Sequence, residues 1–324
     1  MKIHQLRYLV AIADSDLNIT AASNNLHTSQ PGISKQIRLL ETELGFTIFN
    51  RRGRSLTRMT PAGDQVVKRA QRVLHEIESI RRLSDDLSNP TAGTLAIGAT
   101  HMQARYVLPQ VISGFLQRYP EVKLKLHQGT SAQLAEMIQA DQVDFAVSSG
   151  PAALFPEMTM LPGYQWRRAV AVPAGHPLAR AQRIDLKTLA EFPLIGDTFT
   201  LAASSFFMRA FAEAGLQPIV ALMARDSDVI KTYVRAGLGV GILPRMAVSA
   251  TEEPDLVAIE APDLFPAHTA WIGFRTDLLM RRYMFDFLQS FAPHLGRQRV
   301  EDAAEARDQK ELDALFSDVE LPVR

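Results

Sequence analysis

Cysteine is absent from all 324 residues, which excludes disulfide staples, thiolate nucleophiles and cysteine-ligated metals. Eleven methionines show that this is not a general economy of sulfur. No run of about eighteen apolar residues occurs, so no segment has the make-up of a membrane-spanning helix. Residues 1–13 lack the basic start, apolar centre and small-residue cleavage site of a secretory leader. A cytoplasmic protein with no membrane partner is expected. Neither sign of charge dominates, with 35 basic and 35 acidic residues. G-x-S-x-G and other nucleophile arrangements are missing, and His101, His127, His176 and His268 stand at no metal-ligand spacing. Enzymatic chemistry therefore has little support, and no cofactor or metal is expected.

What is present begins with residues 28–41, TSQPGISKQIRLLE. Ile33, Ile37, Leu40 and Leu44 recur at the period of a helix with one buried side. Ser29 is placed to cap its first amides, Pro31 suits an early position where an N–H has no partner, and Gly45 suits the stop. Two shorter apolar patterns precede it: Leu6, Leu9, Val10 and Ala13, then Ile19, Ala22 and Leu26, with a turn at residues 27–29. The order is helix-turn-helix. The free face of the third helix carries Gln30, Ser34, Lys35 and Arg38, donors and acceptors suited to base edges in a major groove.

Beyond Gly45, residues 47–49 and 56–58 read as short strands around the basic tip Asn50-Arg51-Arg52-Gly53-Arg54-Ser55, where a glycine suits a tight bend. Such a wing would lie against phosphates. The same residues suit a small helical bundle with a solvated basic hairpin; the wing, caps and polar stripe together favour nucleic acid. Local charge agrees, since residues 1–60 hold eight basic side chains (Lys2, Arg7, Lys35, Arg38, Arg51, Arg52, Arg54, Arg58) against four acidic ones. We assign the arginine-rich wing to positioning on phosphates and the helix to specificity.

Thr60-Pro61 opens a long helix in which Val66, Ala70, Val73, Ile77, Ile80, Ser84 and Leu87 recur at spacings of four and three, a coiled-coil seam. Packing on its own domain and dimerisation both satisfy such a stripe. Asn89-Pro90-Thr91-Ala92-Gly93 then breaks the helix. Strand and helix signals alternate from there, with strands at residues 95–99, 123–127, 145–148, 169–172, 194–195 and 219–223 and helices at residues 103–119, 131–140 and 204–214, an α/β pattern of two similar lobes. Gly237, Gly239 and Gly241 follow a helix without the third glycine spacing of a dinucleotide loop, and Val240-Ile242-Leu243 reads as a buried strand; these glycines are read as structural. With 47 % hydrophobic residues, the length suffices for a small module plus one large or two medium α/β domains. The tail after residue 295 has a charged stretch at residues 301–310 followed by Leu312, Leu315 and Phe316, suited to a short docked helix or an oligomer contact.

The block TSQPGISKQIRLLE followed by LGFTIFNRRGRSLTRMTPAG resembles LysR-type transcriptional regulators, in the CysB-type branch that governs cysteine biosynthesis and sulfur assimilation. THMQARYVLP (residues 100–109), SDVIKTYVRAGLGVGILPRMAV (residues 227–248) and RRYMFDFLQSFAPHL (residues 281–295) resemble the same branch, so the likeness spans nearly the whole chain. The resemblance implies an N-terminal all-α winged helix-turn-helix (residues 1–60), a linker dimerisation helix (61–90), and a periplasmic-binding-protein-like α/β effector domain (91–295). In the last, lobe I covers about 91–161 and 269–295 and lobe II about 162–268, with residues 296–324 as a tail. DNA contacts are expected from Thr28, Ser29, Gln30, Pro31, Ser34, Lys35, Arg38, Arg51, Arg52 and Arg54. A small anionic effector, acetylserine-like, sulfate or thiosulfate or another sulfur metabolite, is expected at Thr100, Met102, Gln103, Ser149, Trp166, Thr198, Thr200 and Ala202. Met102 and Ala202 depart from the branch's hydroxyl residues, which puts acetylserine in question; each lost donor that an anion needs costs about 1–3 kcal/mol. Implied partners are double-stranded promoter DNA, further copies of the chain as homodimer and homotetramer, and RNA polymerase. A regulator of sulfonate or other organosulfur use, answering to adenylylsulfate, stays open, as does a two-lobed α/β enzyme.

Overall fold

The computed structural model describes the chain except residues 54, 89, 90, 157, 182 and 307, and gives the backbone alone for residues 75, 78, 79, 81–88 and 152. The chain forms two compact units, Met1–Gly93 with Gln139–Gln142 and Thr94–Ile138 with Val143–Arg324.

The first unit runs α1 (Ile3–Asp14), α2 (Ile19–Asn25), α3 (Gln30–Leu44), β1 (Phe49–Arg52), β2 (Ser55–Met59) and α4 (Pro61–Ser88). The local chemistry at α3 is as expected. Ser29 Oγ accepts from the Gly32 amide at 3.3 Å, Pro31 sits in the first turn, and Gly45 closes the helix at φ 76°, a conformation glycine adopts without a Cβ penalty. Leu9, Ile12, Ala22, Ile33, Ile37, Leu40, Ile48, Phe49, Val67 and Ala70 form one buried core. In α1 Ile12 takes the fully buried place expected of Ala13, which is only half-buried. The hairpin is tighter than expected: β1 pairs antiparallel with β2 from Phe49 opposite Met59 to Arg52 opposite Ser55. Asn50, Arg51 and Arg52 are thus strand residues, not a loop.

The second unit opens with β3 (Gly93–Ala99), α5 (His101–Tyr106), α6 (Leu108–Arg118), β4 (Val122–Gln128), α7 (Ser131–Gln139), β5 (Phe145–Ser148), β6 (Met158–Trp166) and β7 (Arg168–Pro173). It continues through α8 (Leu186–Ala190), β8 (Leu194–Asp197), α9 (Thr198–Leu201), α10 (Phe206–Glu213), β9 (Val220–Ala224), α11 (Ser227–Arg235) and β10 (Val240–Pro244). It ends with β11 (Leu256–Glu260), β12 (His268–Arg275), α12 (Arg282–Phe291), α13 (Arg297–Glu305) and α14 (Gln309–Leu315). Two five-stranded sheets result, in the orders β4-β3-β5-β12-β6 and β11-β7-β10-β8-β9. The chain passes from the first sheet to the second between Trp166 and Arg168 and returns at His268. The first crossing therefore lies after Trp166 rather than near Pro162.

Two further differences from the sequence reading have clear causes. The single helix expected over residues 103–119 is two, because Pro109 has no N–H to continue the ladder and instead serves as an early residue of α6. Strand β6 was not anticipated, since its Pro162-Gly163 pair reads as a turn. It lies at the sheet edge, where a missing donor is tolerated. Tyr164 opposes Ala270 and Pro162 opposes Trp271, so Gly163 is the extra residue of a bulge, and a Cβ there would meet Phe291 Cε1 at 2.4 Å.

The glycines of residues 237–241 are structural: a Cβ on Gly239 would lie 2.2 Å from the Pro193 carbonyl oxygen, and one on Gly241 2.8 Å from Val234 Cγ2. Behind Gly296, Val300, Ala303 and Leu312 join the core of the first lobe, so α13 and α14 are docked helices of that lobe rather than a separate tail.

Candidate functional site

The first candidate site is the outer face of α3. Gln30, Pro31, Lys35 and Arg38 are exposed and Ser34 half-buried, while Ile33, Ile37 and Leu40 on the other side are sealed in the core. Pro31, Ser34, Lys35, Arg38, Leu39 and Thr42 line one shallow groove along the helix. The face is thus rigidly backed, with mixed donors and acceptors one turn apart. Thr28 is half-buried before the helix, and Ser29 spends its oxygen on the cap.

The wing is held differently from expectation. Glu41, on the last turns of α3, accepts from the Ile48 amide at 2.9 Å, the Phe49 amide at 3.2 Å and Arg51 Nη2 at 2.7 Å. Arg51 therefore ties β1 to α3 and is a structural cation rather than one held out to phosphates. Arg52 is exposed at the hairpin end. Arg54 lies outside the described residues.

On α4 the expected seam divides. Val67 and Ala70 are buried in the core of the first unit and Val66 packs beside them. Val73 is 43 % exposed and Ile80 68 % exposed, with Ile77 between them at spacings of four and three; the side chains of Ser84 and Leu87 lie outside the described residues. The first half of the stripe thus packs on its own unit, and Val73 and Ile80 in the second half stay exposed in the single chain.

The second candidate site lies where β6 leaves the first sheet. Gln103 on α5 is fully buried; its Nε2 donates to Ser149 Oγ at 3.3 Å, and its Oε1 accepts from the Tyr164 hydroxyl. Trp166 Nε1 donates to the same Ser149 oxygen at 2.9 Å. With two bonds accepted, both lone pairs of Ser149 Oγ are engaged and its hydrogen is left to donate. Burial pushes the Tyr164 phenol well above its usual range, which keeps it a donor to Gln103. Thr100 is half-buried before α5, and its hydroxyl does not cap that helix.

Two residues not expected at this site complete the cluster. Arg168 Cζ stands 5.2 Å from the Trp166 ring centroid, within cation–π range, and its Nη1 lies 2.7 Å from His268 Nε2. His268 in turn stacks on Trp166 at 4.9 Å between ring centroids. Burial, helped by Arg168 and opposed by Asp197, lowers the His268 pKa below its ordinary value. The ring is therefore neutral at neutral pH, with Nε2 accepting from the guanidinium and the proton on Nδ1. Arg168 Nη2 reaches Asp197 Oδ2 at only 3.5 Å, and its buried Nε has no hydrogen-bond partner among the described residues. That Nε is a buried donor with capacity to spare. One signal was available: Trp166 and Arg168 are two residues apart, which puts them on one face of extended chain.

The second-lobe residues behave less as expected. Asp197 accepts from the Phe199 and Thr200 amides, both at 2.8 Å, and from Thr200 Oγ1 at 2.9 Å. Thr200 is buried, and its polar atoms are spent on this cap. Thr198 is exposed and Ala202 half-buried. Met102 packs against the core of the first lobe and offers no polar atom. The structure thus brings Gln103, Ser149 and Trp166 together and adds Arg168 and His268, while Met102, Thr200 and Ala202 supply no donor. Among the described residues no cluster suited to a metal ion occurs, and no helix is long and apolar enough to cross a membrane.

Residues 3–64 match the family profile described as bacterial regulatory helix-turn-helix protein, lysR family, and residues 88–296 that of the LysR substrate binding domain. The chain is 43 % identical over 324 residues, all of both chains, to the HTH-type transcriptional regulator CysB of Haemophilus influenzae. It is 38 % identical over 300 residues, 93 % of this chain and 97 % of the other, to the HTH-type transcriptional regulator SsuR of Burkholderia cenocepacia. Among solved structures, the cofactor-binding domain of the Cbl transcriptional regulator matches with a TM-score of 0.59 at 36 % identity, covering 65 % of this chain and 92 % of that one. With a capped third helix and wing in one unit, two five-stranded lobes in the other, and profiles matching both, the chain belongs to the LysR family of DNA-binding transcriptional regulators.

Proposed function

We propose that this regulator controls genes of sulfur assimilation and cysteine biosynthesis, and that a small anionic sulfur metabolite in the two-lobed cleft sets its activity. The observation that carries the sensing half is the Ser149 hydroxyl, which accepts from Gln103 and Trp166 and keeps its hydrogen to donate, with Arg168 against the same Trp166 ring and its Nε without a partner among the described residues. One hydroxyl donor and one guanidinium are the groups an oxyanion needs. The assignment to sulfur metabolism rests on the likeness to CysB over the full chain. An anion that binds one closure state of the lobes more tightly shifts the population toward it, and a pair of chains joined through α4 transmits that shift to two reading helices on bent DNA. In this reading the working form is a cytoplasmic homotetramer of α4-linked dimers, and transcription is raised through contact with RNA polymerase.

A second reading, control of organosulfur use by an effector such as adenylylsulfate, is favoured by Met102 and Ala202, which remove two hydroxyls, and by the likeness to SsuR. A thermal-shift panel of sulfate, thiosulfate, acetylserines, sulfonates and adenylylsulfate separates the two. A ligand at about one hundred times its dissociation constant stabilises by about 2.7 kcal/mol. Arg168→Ala is expected to abolish the shift of whichever anion works; a shift of full size in that variant removes Arg168 from the site.

On the DNA side, Gln30→Ala and Arg38→Ala are each expected to lose about 1–3 kcal/mol of discrimination between promoter and random duplex. Arg52→Ala is expected to weaken both equally and to lower the slope of log affinity against log salt by about one. Equal losses on both duplexes for the helix variants, measured by fluorescence anisotropy, would overturn their assignment to base reading.

A further inference from the structure

Residues 322–324 run beside β6, the edge strand of the first sheet, and add a short parallel pairing to it. The Gln165 amide donates to the Pro322 carbonyl at 2.8 Å, and the Arg324 amide donates to the Gln165 carbonyl at 2.9 Å. The paired residue lies between Tyr164 and Trp166, the two β6 residues whose side chains hold Gln103 and Ser149. Arg324 adds a side-chain clamp: its guanidinium stands 5.0 Å from the Tyr164 ring centroid, and its Nη2 donates to the Phe291 carbonyl at 3.2 Å. A continuous chain of contacts thus runs from Arg324 through the Tyr164 ring and hydroxyl to Gln103, and from Gln103 to Ser149.

The attachment is light elsewhere. Val323 is 69 % exposed. Between α14 and the paired residues the segment arches over a cavity of about 390 Å3, with Pro162 and Trp271 on the sheet side and Phe316, Leu321 and Val323 on the other. Among the described residues, two backbone hydrogen bonds, one cation–π contact and one side-chain hydrogen bond hold residues 322–324 down, with Pro322 and Arg324 half-buried and Val323 exposed. A segment held in this way belongs to the low-stability end of the fold, where local release is inexpensive.

We infer that residues 322–324 form a releasable strap that positions Tyr164 and Trp166 for anion binding in the cleft, with Arg324 as the positioning residue. The inference rests on the reading of the Gln103–Ser149–Trp166 cluster as the anion site. Its sense is reciprocal: what fixes the strap favours the anion, and a bound anion holds the strap on β6.

The test uses the full-length protein with Trp271→Phe, which leaves Trp166 as the single tryptophan of the two in the chain. In that background Arg324→Ala, Arg324→Lys and deletion of residues 322–324 are compared by Trp166 fluorescence and by calorimetric titration with sulfate and with thiosulfate. The expected results are a shift of Trp166 emission in the deletion and in Arg324→Ala, at least about a fivefold loss of affinity for the anion that binds the parent, and partial recovery in Arg324→Lys. Emission and affinity equal to the parent in all three variants overturn the strap. If neither sulfate nor thiosulfate binds the parent, the reading of the cluster as a site for these two anions fails; emission then decides the strap alone, a shift supporting its hold on Trp166 and an unchanged spectrum overturning it.

Discussion

Val73→Glu combined with Ile80→Glu is expected to leave the protein unable to pair through α4 and to lower its affinity for a promoter with two half-sites by about a hundredfold or more. The first half of α4 is anchored by Val67 and Ala70 in the core of its own unit, so the variant keeps its DNA-binding fold. Val73 and Ile80 are 43 % and 68 % exposed in the single chain, which makes them available to a second copy. A carboxylate at either place would have to be desolvated against that partner. Beyond Ala70 the apolar strip of this 28-residue helix is narrow, and in the proposed pairing the partner's strip would cover it. Joining two reading heads makes the second DNA contact intramolecular, a gain of about 10²–10⁴ in avidity. Sedimentation together with gel shift checks both effects: a dimer that survives both glutamates contradicts this role of α4, and a monomer with parental affinity contradicts the paired reading of DNA.

Glu41→Ala is expected to destabilise the first unit by about 3 kcal/mol and to weaken DNA binding. One carboxylate accepts two main-chain amides and the Arg51 guanidinium, and each buried donor left without an acceptor costs about 1–3 kcal/mol. Arg51 keeps 24 % of its side-chain surface, so water softens its share. Glu41→Gln preserves an oxygen for the amides and should cost about half as much. Urea unfolding followed by circular dichroism gives both values. A cost below about 1 kcal/mol for the alanine variant would show that Glu41 does not hold the wing to α3.

How much of this was legible in the sequence follows the range of the interactions. Ser29, Pro31 and Gly45 act on their own neighbours, and their residue types alone announced the start and stop of α3. Glu41 announced nothing, because a glutamate late in a basic helix resembles a solvated charge until the chain folds back ten residues on to bring Arg51 to it. Strand β6 was concealed by Pro162 and Gly163, turn-formers that the bulge and the edge position accommodate. At the second candidate site, Gln103, Ser149 and Trp166 were named by resemblance and do lie together, but the hydrogen bonds that orient them come from tertiary contacts, as when Tyr164 reaches Gln103 across 61 positions of sequence. Thr200 looked like an anion donor, and Asp197, three residues before it, consumes both its amide and its hydroxyl. Residue type therefore identified the candidates, and competition among neighbours decided which of them keep a donor to spare.

Everything proposed for this regulator depends on the exposed face of α3 choosing among DNA sequences. Competition titration of the full-length protein against genomic promoter fragments and bulk duplex, at fixed salt, measures that choice directly. At least about a thousandfold preference for a subset of fragments is expected, reduced in Arg38→Ala and kept in Arg52→Ala. Equal affinity for every fragment and for bulk duplex, with and without the anion panel, would contradict it.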